Sequence, residues 1–280
     1  MRNSMQLNAL IRNESLKRNV KPHILLRWYL FERFLERLSK SCFRRHFIIK
    51  GGYLVARMVG VGVRSTADLD ITATSLDLSE AAVQTAMGQI LAVALDDGAE
   101  MSVTRIEAIR EASNYPGFRV HVATVFGTIN QTLRLDITTG DVITPTAIES
   151  QIDLMFEDRS INVLTYNLET LISEKLETIL TKGILSTRMR DYYDVYILYE
   201  LFCEKINEPV LKRAFQATCV RRNSREFLAA GKRAERLVLI QESVALQGLW
   251  EQFILKNPYV AQLSWIDVIL SLVAICNDLT

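Results

Sequence analysis

Residues 47–72 read FIIKGGYLVARMVGVGVRSTADLDIT. The apolar run Phe47-Ile48-Ile49 stops at Gly51-Gly52, residues 53–59 take up helical spacing, and Gly60 and Gly62 end that helix. Residues 67–72 then alternate, with Leu69 and Ile71 on one face and Asp68, Asp70 and Thr72 on the other. The order is strand, glycine turn, helix, strand. Two carboxylates separated by one strand residue project from the same face a few ångströms apart, and their mutual repulsion calls for a cation, so Asp68 and Asp70 read as Mg²⁺ ligands.

Working outward, residues 102–109, 118–126 and 132–138 are further strand candidates. In the last, Leu133, Leu135 and Ile137 alternate with Arg134, Asp136 and Thr138, which makes Asp136 the natural third ligand if its strand neighbours that of Asp68 and Asp70. Three convergent carboxylates can hold two metal ions for phosphoryl or nucleotidyl transfer. The Gly51-Gly52 turn supplies the complementary half, because glycine lets backbone N–H groups approach phosphate and a helix N-terminus is partly positive. Arg64 and Ser65 stand just ahead of the aspartates as phosphate or ribose contacts, or else as turn residues satisfying local backbone groups. Upstream, residues 23–41 form an amphipathic helix with Phe31, Phe34, Leu35 and Leu38 on its stripe and Arg33, Arg37 and Lys40 off it. Residues 78–95 suit a packed helix. Beyond Pro145 the period is expected to turn helical, which puts a boundary near 145–165 and divides the chain into 1–160, including a basic N-terminal helical segment, and a mainly helical 161–280.

The chain has 280 residues, 49% hydrophobic and 23% charged, which excludes a disordered protein, and 12 Gly with 5 Pro exclude a linker-dominated one. The formal net charge of +1 is a cancellation. Residues 1–50 carry 12 Lys+Arg against 3 Asp+Glu, residues 51–160 carry 7 against 15, residues 161–210 carry 5 against 8, and residues 211–280 carry 9 against 6. Basic ends therefore flank an acidic middle, the arrangement expected if the middle holds metal ions and the ends approach a polyanion; ordinary solvated helix faces are the alternative. Arg221, Arg222, Arg225, Lys232, Arg233 and Arg236 offer a surface for a nucleic-acid backbone. Cys42, Cys203, Cys219 and Cys276 form no CxxC or Cys/His cluster and read as reduced, buried thiols of a cytoplasmic protein. The apolar stretch 263–276 is too short, and too interrupted by Asp267, to span a membrane, and the N-terminus has no signal-peptide pattern. His121 shares the polar face of its strand with Arg119 and reads as a surface or hydrogen-bonded histidine.

In the second half, helical spacing over 168–181 puts Lys175 inside the arc of Leu168, Leu171, Ile172, Leu176, Ile179 and Leu180, and the helix over 188–204 puts Asp191 in the stripe of Val195, Leu198 and Phe202. Buried charges need partners. Either Lys175 and Asp191 pair with each other, or Lys175 neutralises a triphosphate while Asp191 orients it; Asp194 and Arg188 stand second to them.

Taken together, KGGYL, RSTADLD, LRLDITTGD, EKLETIL and RMRDYYDVY resemble, in order and spacing, the AbiEii/AbiGii group of nucleotidyltransferase toxins, which includes the MenT proteins. The resemblance covers most of residues 45–200. GG stands where some members have GS, and Arg190 where lysine is common. It implies an α/β (α+β) fold, a polymerase-β-like nucleotidyltransferase mixed sheet with flanking helices followed by a mainly α-helical domain. It further implies an NTP-dependent, Mg²⁺-using, two-metal toxin of a toxin–antitoxin or phage-defence pair. Such a protein would transfer a nucleotide to RNA, foremost the 3′ end of tRNA, and be neutralised by a cognate antitoxin protein. Asp68, Asp70 and Asp136 become the metal ligands, Gly51, Gly52, Arg64 and Lys175 nucleotide contacts, and Asp191 the acidic residue of the last motif. The alternatives are a nucleotide-binding interaction protein without turnover, and transfer to a protein or small-molecule hydroxyl.

Overall fold

The computed structural model describes residues 3–75, 79–109 and 117–280. Two helices lead, α1 (Ser4–Arg18) and α2 (Pro22–Lys40); then come β1 (Phe47–Lys50), α3 (Gly51–Val59), β2 (Asp68–Ala73), α4 (Glu80–Leu91), β3 (Glu100–Ile109), β4 (Gly117–Phe126), β5 (Ile129–Thr139), β6 (Ile148–Asp153) and β7 (Ser160–Thr165). The strands form one mixed sheet in the order β3-β4-β5-β2-β1-β7-β6, with β2–β5 and β1–β7 parallel and the other pairs antiparallel. Six helices follow: α5 (Leu168–Lys182), α6 (Met189–Phe202), α7 (Glu208–Arg221), α8 (Ala230–Glu242), α9 (Val244–Lys256) and α10 (Trp265–Asp278). Residues up to Gly140 together with Ile148–Thr165 make one compact unit, and Asp141–Ala147 with Tyr166–Thr280 a second.

In the first unit the alternating strands behave as their sequences require. Leu69, Ile71, Leu133, Leu135, Ile137, Val120 and Val122 are buried in one core with Phe31, Phe34, Leu35 and Leu38 of α2, while the aspartates take the opposite face. Each such large side chain contributes about 1.5–3 kcal/mol on burial. The expected helix over 78–95 is observed as Glu80–Leu91, its residue 78 lying outside the described residues.

Three expectations are corrected. Helical structure does not begin after Pro145: residues 148–165 form the β6–β7 pair, and Ile152, Ile161 and Val163 fill the core with a period of two. Helix α2 has no wet face along most of its length, because the turn between β6 and β7 and the segment before β3 cover it. Arg33 is fully buried against Glu36 (3.2 Å) and Glu157 (2.7 Å), and Arg37 is buried in a two-pronged pair with Asp97 (2.7 and 3.0 Å) while also donating to the Ala99 carbonyl at 2.6 Å. Burial alone would raise the carboxyl of Glu36, yet the guanidinium of Arg159, with Lys40 and Arg33, holds it at about 2. These basic residues therefore serve the fold. Lastly, Cys219 and Cys276 are buried as expected but Cys42 and Cys203 are exposed; all four are free thiols.

In the second unit, α5 packs against α6 and α7, and α10 against α6 and α8. Trp250 and Trp265 meet at 5.9 Å between ring centroids and Tyr192 meets Trp265 at 5.2 Å. A capping box of Ser264 and Asp267 starts α10. Among the described residues no helix is long and apolar enough to cross a membrane.

Candidate active site

The sheet unit positions the acidic residues by register. In the parallel pair β2–β5, Asp70 lies opposite Asp136 and Asp68 opposite Arg134. Asp70 also lies opposite Lys50 across the antiparallel β1–β2 pair. At the end of β1 the chain turns into α3 through Gly51, whose φ of +62° only glycine adopts without strain. A Cβ there would stand 2.2 Å from Asp70 Oδ2, so glycine is required for contact as well as for conformation. The Gly52 N–H, in the first turn of α3, donates to Asp70 Oδ2 at 3.1 Å, which aims the helix N-terminus at an anion. A Cβ on Gly52 would meet the guanidinium of Arg64 at 2.7 Å. Arg64 is buried beside the glycine and donates to the Ser65 carbonyl at 2.7 Å; half-buried Ser65 belongs to the turn that leads into β2.

The expected neighbourhood of Asp68, Asp70 and Asp136 is therefore present, but the carboxylates are not drawn into a common cluster. Among the described residues no three His, Cys, Asp or Glu side chains gather to hold a metal ion. Charge explains this. Like charges opposite one another across a strand pair repel, and arginines on the same face draw two of the three carboxylates to themselves. Arg119 Nε and Nη2 donate to Asp136 Oδ1 and Oδ2 at 2.8 and 2.7 Å, and Arg134 Nε lies 2.6 Å from Asp68 Oδ1. The donor set suits Mg²⁺ chemically, since it offers hard carboxylate oxygens beside a glycine cradle that a side chain would fill. His121 is paired with Glu107 at 3.3 Å.

Sequence reasoning passed over Lys50, which is buried and donates to Thr138 Oγ1 at 2.9 Å. Its place immediately before Gly51-Gly52 was the available clue. Arg119 and Arg134 were visible as polar-face residues, without their partners.

The second unit holds its own charged cluster. Lys175 Nζ on α5 lies 2.9 Å from Asp191 Oδ1 and 2.7 Å from Asp194 Oδ2, both on α6, and Arg188 Nε lies 2.5 Å from Asp191 Oδ2. Burial would raise the Asp191 carboxyl, but the charges of Lys175 and Arg188 and their hydrogen bonds outweigh it and hold the group at about 2. Two of the arginines expected to form a nucleic-acid surface are used internally. Arg222 pairs with Glu177 (2.9 Å) and Glu174 (3.2 Å), and buried Arg233 donates to the carbonyls of Phe227, Leu228 and Cys276. Arg225 and Lys232 remain exposed.

The mixed sheet, with Asp70 opposite Asp136 next to a Gly-Gly helix start, is a fold shared with solved structures. A nucleotidyltransferase structure from H. pylori matches with a TM-score of 0.51 at 17% identity, covering 93% of this chain and 97% of that one. The structure of JHP933 from Helicobacter pylori matches with a TM-score of 0.50 at 17% identity, covering 92% and 94%. No curated protein matches the chain. The family model for the nucleotidyl transferase AbiEii toxin of type IV toxin–antitoxin systems matches residues 33–269, and the chain belongs to that family.

Proposed function

We propose that this AbiEii-family protein transfers a nucleotide from an NTP to an RNA hydroxyl, foremost the 3′ end of tRNA. In this reading it acts in the cytoplasm as the toxin of a phage-defence pair restrained by a cognate antitoxin. The observation that carries the reading is the register of Asp70 against Asp136 on parallel strands, next to the Gly51-Gly52 start of α3. Asp68, Asp70 and Asp136 would hold Mg²⁺, which supplies Lewis-acid activation of the acceptor hydroxyl and charge neutralisation at the leaving pyrophosphate. The start of α3 turns its partly positive end toward phosphate oxygen, with Arg64 and Ser65 beside it. Lys50 keeps positive charge next to Asp70 and so limits carboxylate repulsion.

The test is incubation of the purified protein with each labelled NTP, Mg²⁺ and total tRNA, alongside Asp68→Asn. Transfer of one nucleotide's label to tRNA by wild type and not by the variant is expected. Equal labelling by both would overturn the reading, and growth arrest that persists in Asp70→Asn would mark a toxin that acts by binding alone.

A further inference from the structure

The polar face of the sheet is a cross-strand ladder of charge. One row runs Glu107, Arg119, Asp136, Asp70 and Lys50 from β3 to β1, each residue opposite the next. Two residues along, a second row runs Arg105, His121, Arg134 and Asp68. The first row brings two carboxylates face to face across parallel strands about 4.8 Å apart, a repulsive arrangement that cations on either side relieve. Arg119 grips Asp136 through both oxygens, and Arg134 reaches Asp68. Both arginines keep contact with solvent, their side chains 33% and 43% exposed, so neither is locked in place as Arg33 is. The second row carries Arg105, His121 and Arg134 and leads from Asp68 away from Gly51-Gly52 to the edge strand β3, where Arg105, 69% exposed, pairs with Glu107 at 2.7 Å and His121 meets the same carboxylate at 3.3 Å.

We propose that Arg119 and Arg134 are exchangeable counter-ions. Resting on the metal-binding reading given above, they occupy Asp136 and Asp68 while the acidic centre is without metal and release the carboxylates when Mg²⁺ enters. The freed guanidiniums then bind phosphodiesters of a single RNA strand laid along the basic row toward β3. The direction of that row, away from the helix start that receives the triphosphate, assigns it to the acceptor strand rather than to the nucleotide. Metal occupancy thus strengthens acceptor binding, since the guanidinium N–H groups given to a carboxylate become available to a phosphate once that carboxylate turns to the metal.

The experiment uses Mg²⁺ alone and a 12-nucleotide single-stranded RNA, without NTP. Calorimetric titration of Mg²⁺ into Arg119→Gln and Arg134→Gln should give about 3- to 10-fold tighter binding than wild type, the scale of a partly exposed ion pair removed from competition. Mg²⁺ should also raise the thermal midpoint of Arg119→Gln by more than that of wild type, because the variant lacks the arginine that replaces the metal. Wild type should bind the RNA more tightly in Mg²⁺ than in EDTA at matched ionic strength, and the double variant should lose that gain and about two units of salt slope. Arg119→Lys, which keeps the charge without the two-pronged grip, should fall between in Mg²⁺ affinity and guards against a folding defect. If Asp70→Asn binds Mg²⁺ as wild type does, the metal-site reading fails. If Asp70→Asn loses Mg²⁺ but the arginine variants bind it no more tightly than wild type, the counter-ion proposal alone is overturned.

Discussion

Lys175 sits 10% exposed between Asp191 at 2.9 Å and Asp194 at 2.7 Å, themselves 5% and 0% exposed. Lys175→Met keeps the length and apolar stem of the side chain and takes the ammonium away from two buried carboxylates. Removing one partner of a buried pair costs about 3–5 kcal/mol. The fall of Asp191 from its ordinary 3.8 to about 2, produced by Lys175 and Arg188 together, points in the same direction, at roughly 2–3 kcal/mol for 1.36 kcal/mol per unit. The sign follows from linkage. A carboxyl whose folded value is depressed contributes stability that is present above 3.8 and is lost as pH falls through about 2. In the variant, with the lysine charge gone and only Arg188 left to oppose burial, the Asp191 carboxyl rises, so the deficit shrinks as the pH drops and the group takes up a proton. Urea unfolding at pH 7 should therefore show Lys175→Met destabilised by about 3–5 kcal/mol, and the deficit should shrink toward pH 4. A variant within about 1 kcal/mol of wild type at pH 7, with no pH trend but with nucleotide binding lost, would refute this account and leave Lys175 as a ligand only.

Two further outcomes are expected. Gly51→Ala forces a non-glycine residue to φ +62° and drives Asp70 aside, because the new Cβ would stand only 2.2 Å from Oδ2, so urea unfolding should show a loss of about 1–2 kcal/mol and the labelling assay a loss of transfer; wild-type stability and activity would contradict both. Burial pushes the carboxyl of Glu32 up to about 7, against the restraining Met155 N–H and the Arg33 and Arg57 charges. With its folded value raised above 4.5, Glu32 contributes stability that is full below 4.5 and lost as pH climbs through about 7, up to about 3 kcal/mol. Glu32→Gln should flatten that decline between pH 5 and pH 8, and an unchanged pH profile would contradict it.

The strand period along residues 67–72 and 132–138 was enough to put Asp68, Asp70 and Asp136 on polar faces, because alternation is a property of a strand by itself. Gly51 was equally legible as the residue of a tight start to α3. What faces those carboxylates was not. The grip of Arg119 on Asp136 and of Arg134 on Asp68 follows from which strands pair and in what register, and a slip of one residue would have sent each side chain to the other face. The same applies to Arg33 and Arg37. Off the apolar stripe of α2, they looked solvated until the chain returned with Asp97 and Glu157 to cover them. In the helical unit, spacing put Lys175 and Asp191 inside the packed arcs, while the packing of α5 on α6 chose their partners and added Asp194. The β6–β7 pair was missed because its alternation is short and flanked by polar residues, and only its place beside β1 gives it a core to fill. Periodicity and glycine positions are local and so reside in the order of residues. Ion-pair partners lie 60 or more residues apart in the chain for Arg37 and Asp97, as for Arg159 and Glu36, and are chosen when the sheet closes over its helices.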